Sequence, residues 1–124
     1  MVIYLDTNFL IEAQKSGTPS SQRFGVWLIN GDTFEVSTMV WAEFLCGPLQ
    51  AGEESMARQI IAVKHVITER EAELAAQMFD QTGRRSRSLA DCIIAAGAIL
   101  AGVPLATENT ADFQRFVPFG LRLM

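Results

Sequence analysis

Four acidic residues, Asp6, Glu43, Asp91 and Asp112, stand where a solvent-facing surface would not place them. Asp6 follows directly on the apolar run 2–5, and Asp91 lies just inside the apolar helical pattern that Ser88 opens. Asp112 comes shortly after a second apolar run that ends at Thr107, and Glu43 interrupts the apolar stretch 40–45. Two carboxylates about 4 Å apart repel by roughly 4 kcal/mol at an effective dielectric near 20, so a cluster of this kind calls for a cation at its centre. Hard divalent ions, Mg²⁺ or Mn²⁺, accept all-oxygen ligand sets and complete their shells with water and phosphate oxygens. The single histidine, His65, gives zinc little support. An all-oxygen site points to metal-assisted attack of water on a phosphodiester. Asn8, Thr107 and Asn109 are placed to orient ligands or waters around it.

Such residues work together only if the fold gathers them. The run 2–5 is short, β-branched and uninterrupted, the habit of a strand buried on both faces in a parallel sheet. Asp6 then marks the carboxyl edge, where α/β sheets bind ligands. The following Thr-Asn-Phe-Leu-Ile-Glu-Ala reads as a capped helix, and the turn 16–21 precedes a second one carrying Phe24, Trp27 and Leu28 at helical spacing. A strand is predicted over 34–37, then a helix capped by Ser37 or Thr38 that stops at Gly47-Pro48. Further helices are predicted over 53–62 and 69–79, with a short strand at Val66-Ile67 between them. From Ser88 a helix runs with Leu89, Ile93, Ala96 and Leu100 at helical spacing to Gly102. A strand over 103–106, a short helix over 109–116 and an edge strand over 121–124 complete the pattern. Strands alternating with helices predict a three-layer α/β/α sandwich around a parallel sheet, one domain over residues 1–124.

Composition narrows the function. At 49% hydrophobic residues the chain supports a sizeable core, yet no apolar stretch is long enough to span a membrane and no signal-like segment precedes the first strand. Cys46 and Cys92 have no Cys-x-x-Cys spacing and read as buried reduced thiols, which makes the cytoplasm the expected compartment. A net charge of −4 excludes a grip on nucleic acid by bulk positive charge. Any such contact must be local, and Arg84, Arg85 and Arg87 in the loop before Asp91 are the one concentration of positive charge.

The motifs Leu-Asp-Thr-Asn at 5–8, Ala-Glu-Phe-Leu-Cys-Gly at 42–47, Leu-Ala-Asp-Cys-Ile-Ile-Ala-Ala at 89–96 and Ala-Thr-Glu-Asn-Thr-Ala-Asp-Phe at 106–113 resemble those of PIN-domain ribonucleases. The likeness is greatest to the VapC-type toxins of bacterial toxin-antitoxin pairs and covers nearly the whole chain. It implies a small α/β/α nuclease that cuts RNA with Mg²⁺ or Mn²⁺, forms a homodimer and is silenced by a cognate antitoxin. Carried over by motif, Asp6, Glu43 and Asp91 match the three recurring acids and Asp112 the more variable fourth. Asn109 stands where some members carry another acid.

Each feature also has a plainer reading. Asp6 can cap a helix, Ser88-Leu-Ala-Asp91 fits a capping box, and Asn109 with Asp112 can cap the helix after Thr107. Glu43 resists this, because a lone glutamate beside Met39 and Val40 is costly without a partner. The arginines can be a solvated loop, and Trp27, Trp41, Phe24 and Phe44 read as core or subunit interface rather than base-stacking platforms. His65 is assigned no role. Three rival functions fit less well. A phospho-receiver module needs a lysine at the acidic edge, and Lys15 and Lys64 are poorly placed. A haloacid-dehalogenase-like phosphatase needs an acid where Asn8 stands. A PIN-like binding module without activity differs only by assay.

Overall fold

The structure, a computed structural model, describes all 124 residues. Strand β1, Val2–Leu5, lies inside the sheet, and its last three residues are all buried. Successive side chains of a strand point to opposite faces, so unbroken burial requires both faces to be covered. The sheet has the order β3-β2-β1-β4 and every pairing is parallel, with β2 at Thr33–Ser37, β3 at Ile61–His65 and β4 at Leu105–Ala106.

Helices α1 (Thr7–Ala13) and α2 (Pro19–Ile29) join β1 to β2, while α3 (Thr38–Cys46) and α4 (Glu53–Ile60) join β2 to β3. Helices α5 (Glu69–Gln81) and α6 (Leu89–Ala101) carry the chain back across the sheet to β4, beyond β1. Right-handed crossovers that run in opposite directions place their helices on opposite faces. The packing agrees. Phe24 and Trp27 of α2 approach Phe34 of β2 with ring centroids 4.5 and 6.3 Å apart. On the other face, a Cβ at Gly97 of α6 would meet the Tyr4 ring at 3.7 Å. The result is the three-layer α/β/α sandwich expected, its core built around fully buried Phe9, Phe34, Phe44, Phe113 and Phe116. Because the chain leaves β1 in one direction and reaches β4 from the other, the carboxyl ends of these two neighbours form the topological switch point, where such sheets leave a crevice.

Several boundaries differ from the sequence reading. The strand expected at Val66-Ile67 lies at Ile61–His65 instead, and α4 stops at Ile60 rather than continuing through Ala62. Residues 60–63 are apolar enough for either period, and parallel pairing with β2, Phe34 to Ile61 and Ser37 to His65, captures their backbone. The strand expected over 103–106 is only Leu105–Ala106, since Pro104 has no N–H for the ladder, although its carbonyl accepts from the Tyr4 N–H at 2.9 Å. The expected edge strand 121–124 reduces to one bridge between Leu105 and Leu123. The helix expected over 109–116 is a short α7, Thr110–Phe113, followed by a 3₁₀ helix over Gln114–Phe119. Cys92 is buried as expected, but Cys46, the last residue of α3, is exposed. Leu89 and Leu100 of α6 are exposed too, and the helix packs instead through Cys92, Ala95, Ala96 and Ala98. No helix is long and apolar enough to cross a membrane.

Candidate active site

Asp6 sits at the switch point, one residue past β1, with an extended backbone that starts α1. Its Oδ1 accepts from the Phe9 N–H at 2.7 Å and its Oδ2 from the Thr107 hydroxyl. The Thr107 Oγ1 in turn accepts from the Asn109 N–H at 2.9 Å, and the Asp6 N–H donates to the Ala106 carbonyl at 3.1 Å. Asp6 is therefore tied to both strands of the crevice and only 4% exposed. Burial raises its carboxyl above the ordinary value, the two hydrogen bonds pull it back, and the charges of Asp91 and Glu108 push it further up.

Around Asp6 a cavity of about 110 Å³ is lined by Asn8, Glu43, Asp91, Asn109 and the apolar Ile94 and Phe113, among others. That volume holds an ion with a few waters, at about 30 Å³ of liquid volume per water. Glu43 reaches it from α3, with its Oε1 accepting from the Thr7 hydroxyl at 2.6 Å. Asp91 projects from the first turn of α6, and its carboxyl is raised by burial, lowered by the charge of Arg115 and raised by Asp112 and Glu43. Asp112 stands one step back from the cavity wall, accepting from the Asn109 side-chain amide at 2.7 Å.

The chemistry of this donor set fits a hard divalent ion, because the polar atoms facing the cavity from Asp6, Glu43 and Asp91 are carboxylate oxygens. Two of these carboxyls are pushed up in part by their neighbours' charge, the repulsion that a cation relieves. In their present rotamers, however, no three of the acidic side chains converge at ligand distance. Glu43 and Asp112 rest instead on Thr7 and Asn109.

The remaining sequence expectations divide. Asp6 does cap a helix, while facing the cavity as well. The capping reading of Asp91 fails, since Ser88 makes no side-chain cap and its hydroxyl donates to the Arg85 carbonyl at 2.8 Å. Asn109 makes no cap hydrogen bond either. The desolvation argument for Glu43 is also wrong, because its side chain is exposed at the cavity mouth. Arg84, Arg85 and Arg87 are exposed; Arg84 pairs with Asp80 at 2.7 Å, and the other two have no ion pair. Trp27, Trp41, Phe24 and Phe44 all pack into or against the core as read, and half-buried Trp41 also has Arg58 and Lys64 over its ring. His65 has a partner after all, Glu35 at 2.5 Å, and stacks on Tyr4, whose hydroxyl burial and the Glu35 and Glu71 charges push up to about 12.

The sequence does not single out three residues at the site, although Thr7 and Glu108 stand inside its motifs. Thr7 anchors Glu43, Arg115 places a positive charge near Asp91, and Glu108 adds negative charge near Asp6. Glu108 is itself held by Ser20 at 2.7 Å and Arg23 at 3.4 Å, so it serves packing between the strand end and α2. A larger cavity of about 790 Å³ lies between the end of α1, α2 and α4, with Glu53 its single acid and none of the clustered carboxylates.

The profile of the PIN domain family matches residues 3–117. Among solved structures, the chain is similar to VapBC2 from Rickettsia felis, a complex bound to a DNA fragment from its promoter, at 20% identity and a TM-score of 0.76, covering 100% of this chain and 98% of that one. A toxin-antitoxin complex from Klebsiella pneumoniae matches at 28% identity and 0.69, covering 90% and 89%. VapBC-1 from nontypeable Haemophilus influenzae matches at 21% and 0.72, covering 100% and 97%. Among curated protein sequences none matches.

Proposed function

The chain belongs to the PIN domain family, and from that premise we propose that it is a metal-dependent endoribonuclease, the toxin of a toxin-antitoxin pair, acting as one domain over residues 1–124. The observation that carries the proposal is the cavity at the switch point, where Asp6, Glu43 and Asp91 arrive from three different elements. A divalent ion held there by Asp6, Glu43 and Asp91 would supply Lewis acidity to a phosphodiester and would lower the pKa of a water. The chain's own residues have separable tasks. Asp6, held by two donors, is the rigid member of the ligand set, and Glu43 and Asp91 complete it from α3 and α6. Asp112 adds negative charge behind Asp91, and Asn8 and Asn109 offer amides at the cavity wall. Ile94 and Phe113 exclude bulk water from one side, which strengthens every electrostatic interaction inside. Arg85 and Arg87 are free to meet RNA phosphates near the start of α6. A cognate antitoxin would seat a cationic side chain in the acidic cavity, and the family likeness supports a homodimer.

The test is incubation of the purified protein with structured and single-stranded RNA, with Mg²⁺, with Mn²⁺ and with chelator. Cleavage is expected only with metal, and Asp6→Asn or Asp91→Asn should abolish it. Cleavage that survives chelator or Asp6→Asn overturns the proposal. That no three acids converge as they stand favours the rival of an inactive binding module. RNA binding without cleavage in Mn²⁺ would establish that rival.

A further inference from the structure

Thr7 is the first residue of α1, one position after the Asp6 that caps it. The cap is made by the Asp6 side chain, whose Oδ1 accepts from the Phe9 N–H at 2.7 Å, so the helix start makes no use of the Thr7 hydroxyl. That hydroxyl crosses instead to α3 and donates to Glu43 Oε1 at 2.6 Å, joining residues 36 apart in the chain. A β-branched side chain in a helix has few rotamers, so the donor is aimed as well as present.

Glu43 needs such a partner. Val40 and Phe44 of α3 are in the core, but Glu43 is exposed, and its carboxylate has no hydrogen-bond partner besides Thr7. A glutamate left free on a surface samples many rotamers and gives up that freedom when it binds an ion, so holding it beforehand favours binding. The bond also sorts the two oxygens, with Oε1 taken by Thr7 and Oε2 unpartnered. Thr7 and Glu43 line the same cavity as Asp6 and Asp91. The acids stop short of a closed ligand set, and a Glu43 tethered through one oxygen has less space to search in closing it.

We propose that Thr7 is a positioning residue for Glu43, its hydroxyl holding Oε1 and leaving Oε2 for a divalent ion in the cavity. Two consecutive residues at one helix start then serve two ligands, Asp6 as a ligand itself and Thr7 as the group that aims another from α3. Hydrogen-bond partners behind a metal ligand orient it and tune its affinity. The inference rests on the metal site proposed above.

Mn²⁺ binding to RNA-free protein, measured by calorimetry, compares wild type with Thr7→Val, which keeps the shape and loses the donor, and Thr7→Ser, which keeps the donor. The Val variant should bind Mn²⁺ about 10- to 100-fold more weakly, and the Ser variant should recover most of the affinity. Unchanged binding by the Val variant overturns the inference, and so does tighter binding, which would mean that Thr7 draws Glu43 away from the ion. A Ser variant as weak as the Val one overturns it too. In protein that already carries Glu43→Ala, Thr7→Val should weaken binding no further, and a further loss overturns the inference by making the hydroxyl act without Glu43. If circular dichroism shows the Val variant unfolded, Thr7→Ala, a good helix former, takes its place with the same expectations. Wild type that does not bind Mn²⁺ overturns the metal site itself, a result distinct from the others.

Discussion

Asp91 is the residue at which a site role and a helix-terminus role predict opposite signs. Its carboxyl is raised in the folded chain, chiefly by burial. A native state with a raised carboxyl binds the proton more readily than the unfolded chain does. The associated stability is therefore full below the unfolded value and lost as pH rises through the folded one. In chelator, Asp91→Asn should gain on wild type as pH rises from about 4, the ordinary carboxylate range, toward neutrality. Millimolar Mn²⁺ should reverse the order at pH 7, because a ligand that binds only the native state stabilises it and the variant has lost part of the site. Urea unfolding of both proteins across pH, with and without Mn²⁺, reads this out. A variant that is less stable than wild type in chelator at neutral pH would return Asp91 to an ordinary first-turn acid worth about 0.3–1 kcal/mol. The positions of Asp6 and Asp91 are legible in the sequence because each abuts an apolar run whose period changes there. The roles of Thr7 and Arg115 are not, since each acts on a group distant in sequence, Thr7 through a hydrogen bond to Glu43 and Arg115 through its charge on Asp91. Glu43 is legible by motif order and not by burial, since it faces the cavity from an exposed position.

Helix α6 is the element that connects the cavity to the core, and its two glycines differ in kind. Gly97 lies in the helix interior, where an added Cβ would meet the Glu71 carboxylate and the Tyr4 ring at 3.7 Å, an ordinary contact distance. Gly97→Ala should therefore stabilise the fold by about 0.5–1 kcal/mol, the usual gain of alanine over glycine in a helix. Gly102 ends the helix at φ +69°, where a Cβ is strained, and Gly102→Ala should destabilise by about 1–2 kcal/mol. Urea unfolding in chelator tests both, and a loss at Gly97 would mean that α6 packs more tightly on Tyr4 than its contacts indicate. The sequence marks the end of α6 clearly because a glycine past an apolar run has few other uses. It does not mark the buried face, since a helix that is apolar nearly all round has no single stripe, and the sheet selects Cys92, Ala95, Ala96 and Ala98 for close approach. Strand β3 is hidden for a related reason. Its only strong instruction is the partner strand β2, which lies at a distance in sequence that local period cannot sense.

Over the whole molecule the charge balance is −4, so the RNA binding proposed above would depend on a few well-placed cations and on a divalent ion held in the cavity. Arg84 is already paired with Asp80, which leaves Arg85 and Arg87 as the free members of the loop. In an inactive Asp6→Asn background, the double variant Arg85→Ala/Arg87→Ala should flatten the dependence of log affinity on log salt by about 1.4, at roughly 0.7 for each phosphate contact on a single strand. Filter binding across a salt series measures the slope, and an unchanged slope would make the loop merely solvated. The layer order of the fold follows from the alternation of strand and helix in the sequence, whereas the meeting of the first and last strands does not. That meeting has a consequence in time. The hydroxyl that satisfies Asp6 belongs to Thr107, 101 residues later. A chain is made from its N-terminus and its domains fold as units, so Asp6 waits for its partner through most of synthesis. A growing chain that has not yet reached Thr107 has β2 on one side of β1 and an empty edge on the other, and its Asp6 carboxylate lacks the hydroxyl that holds it in the finished fold.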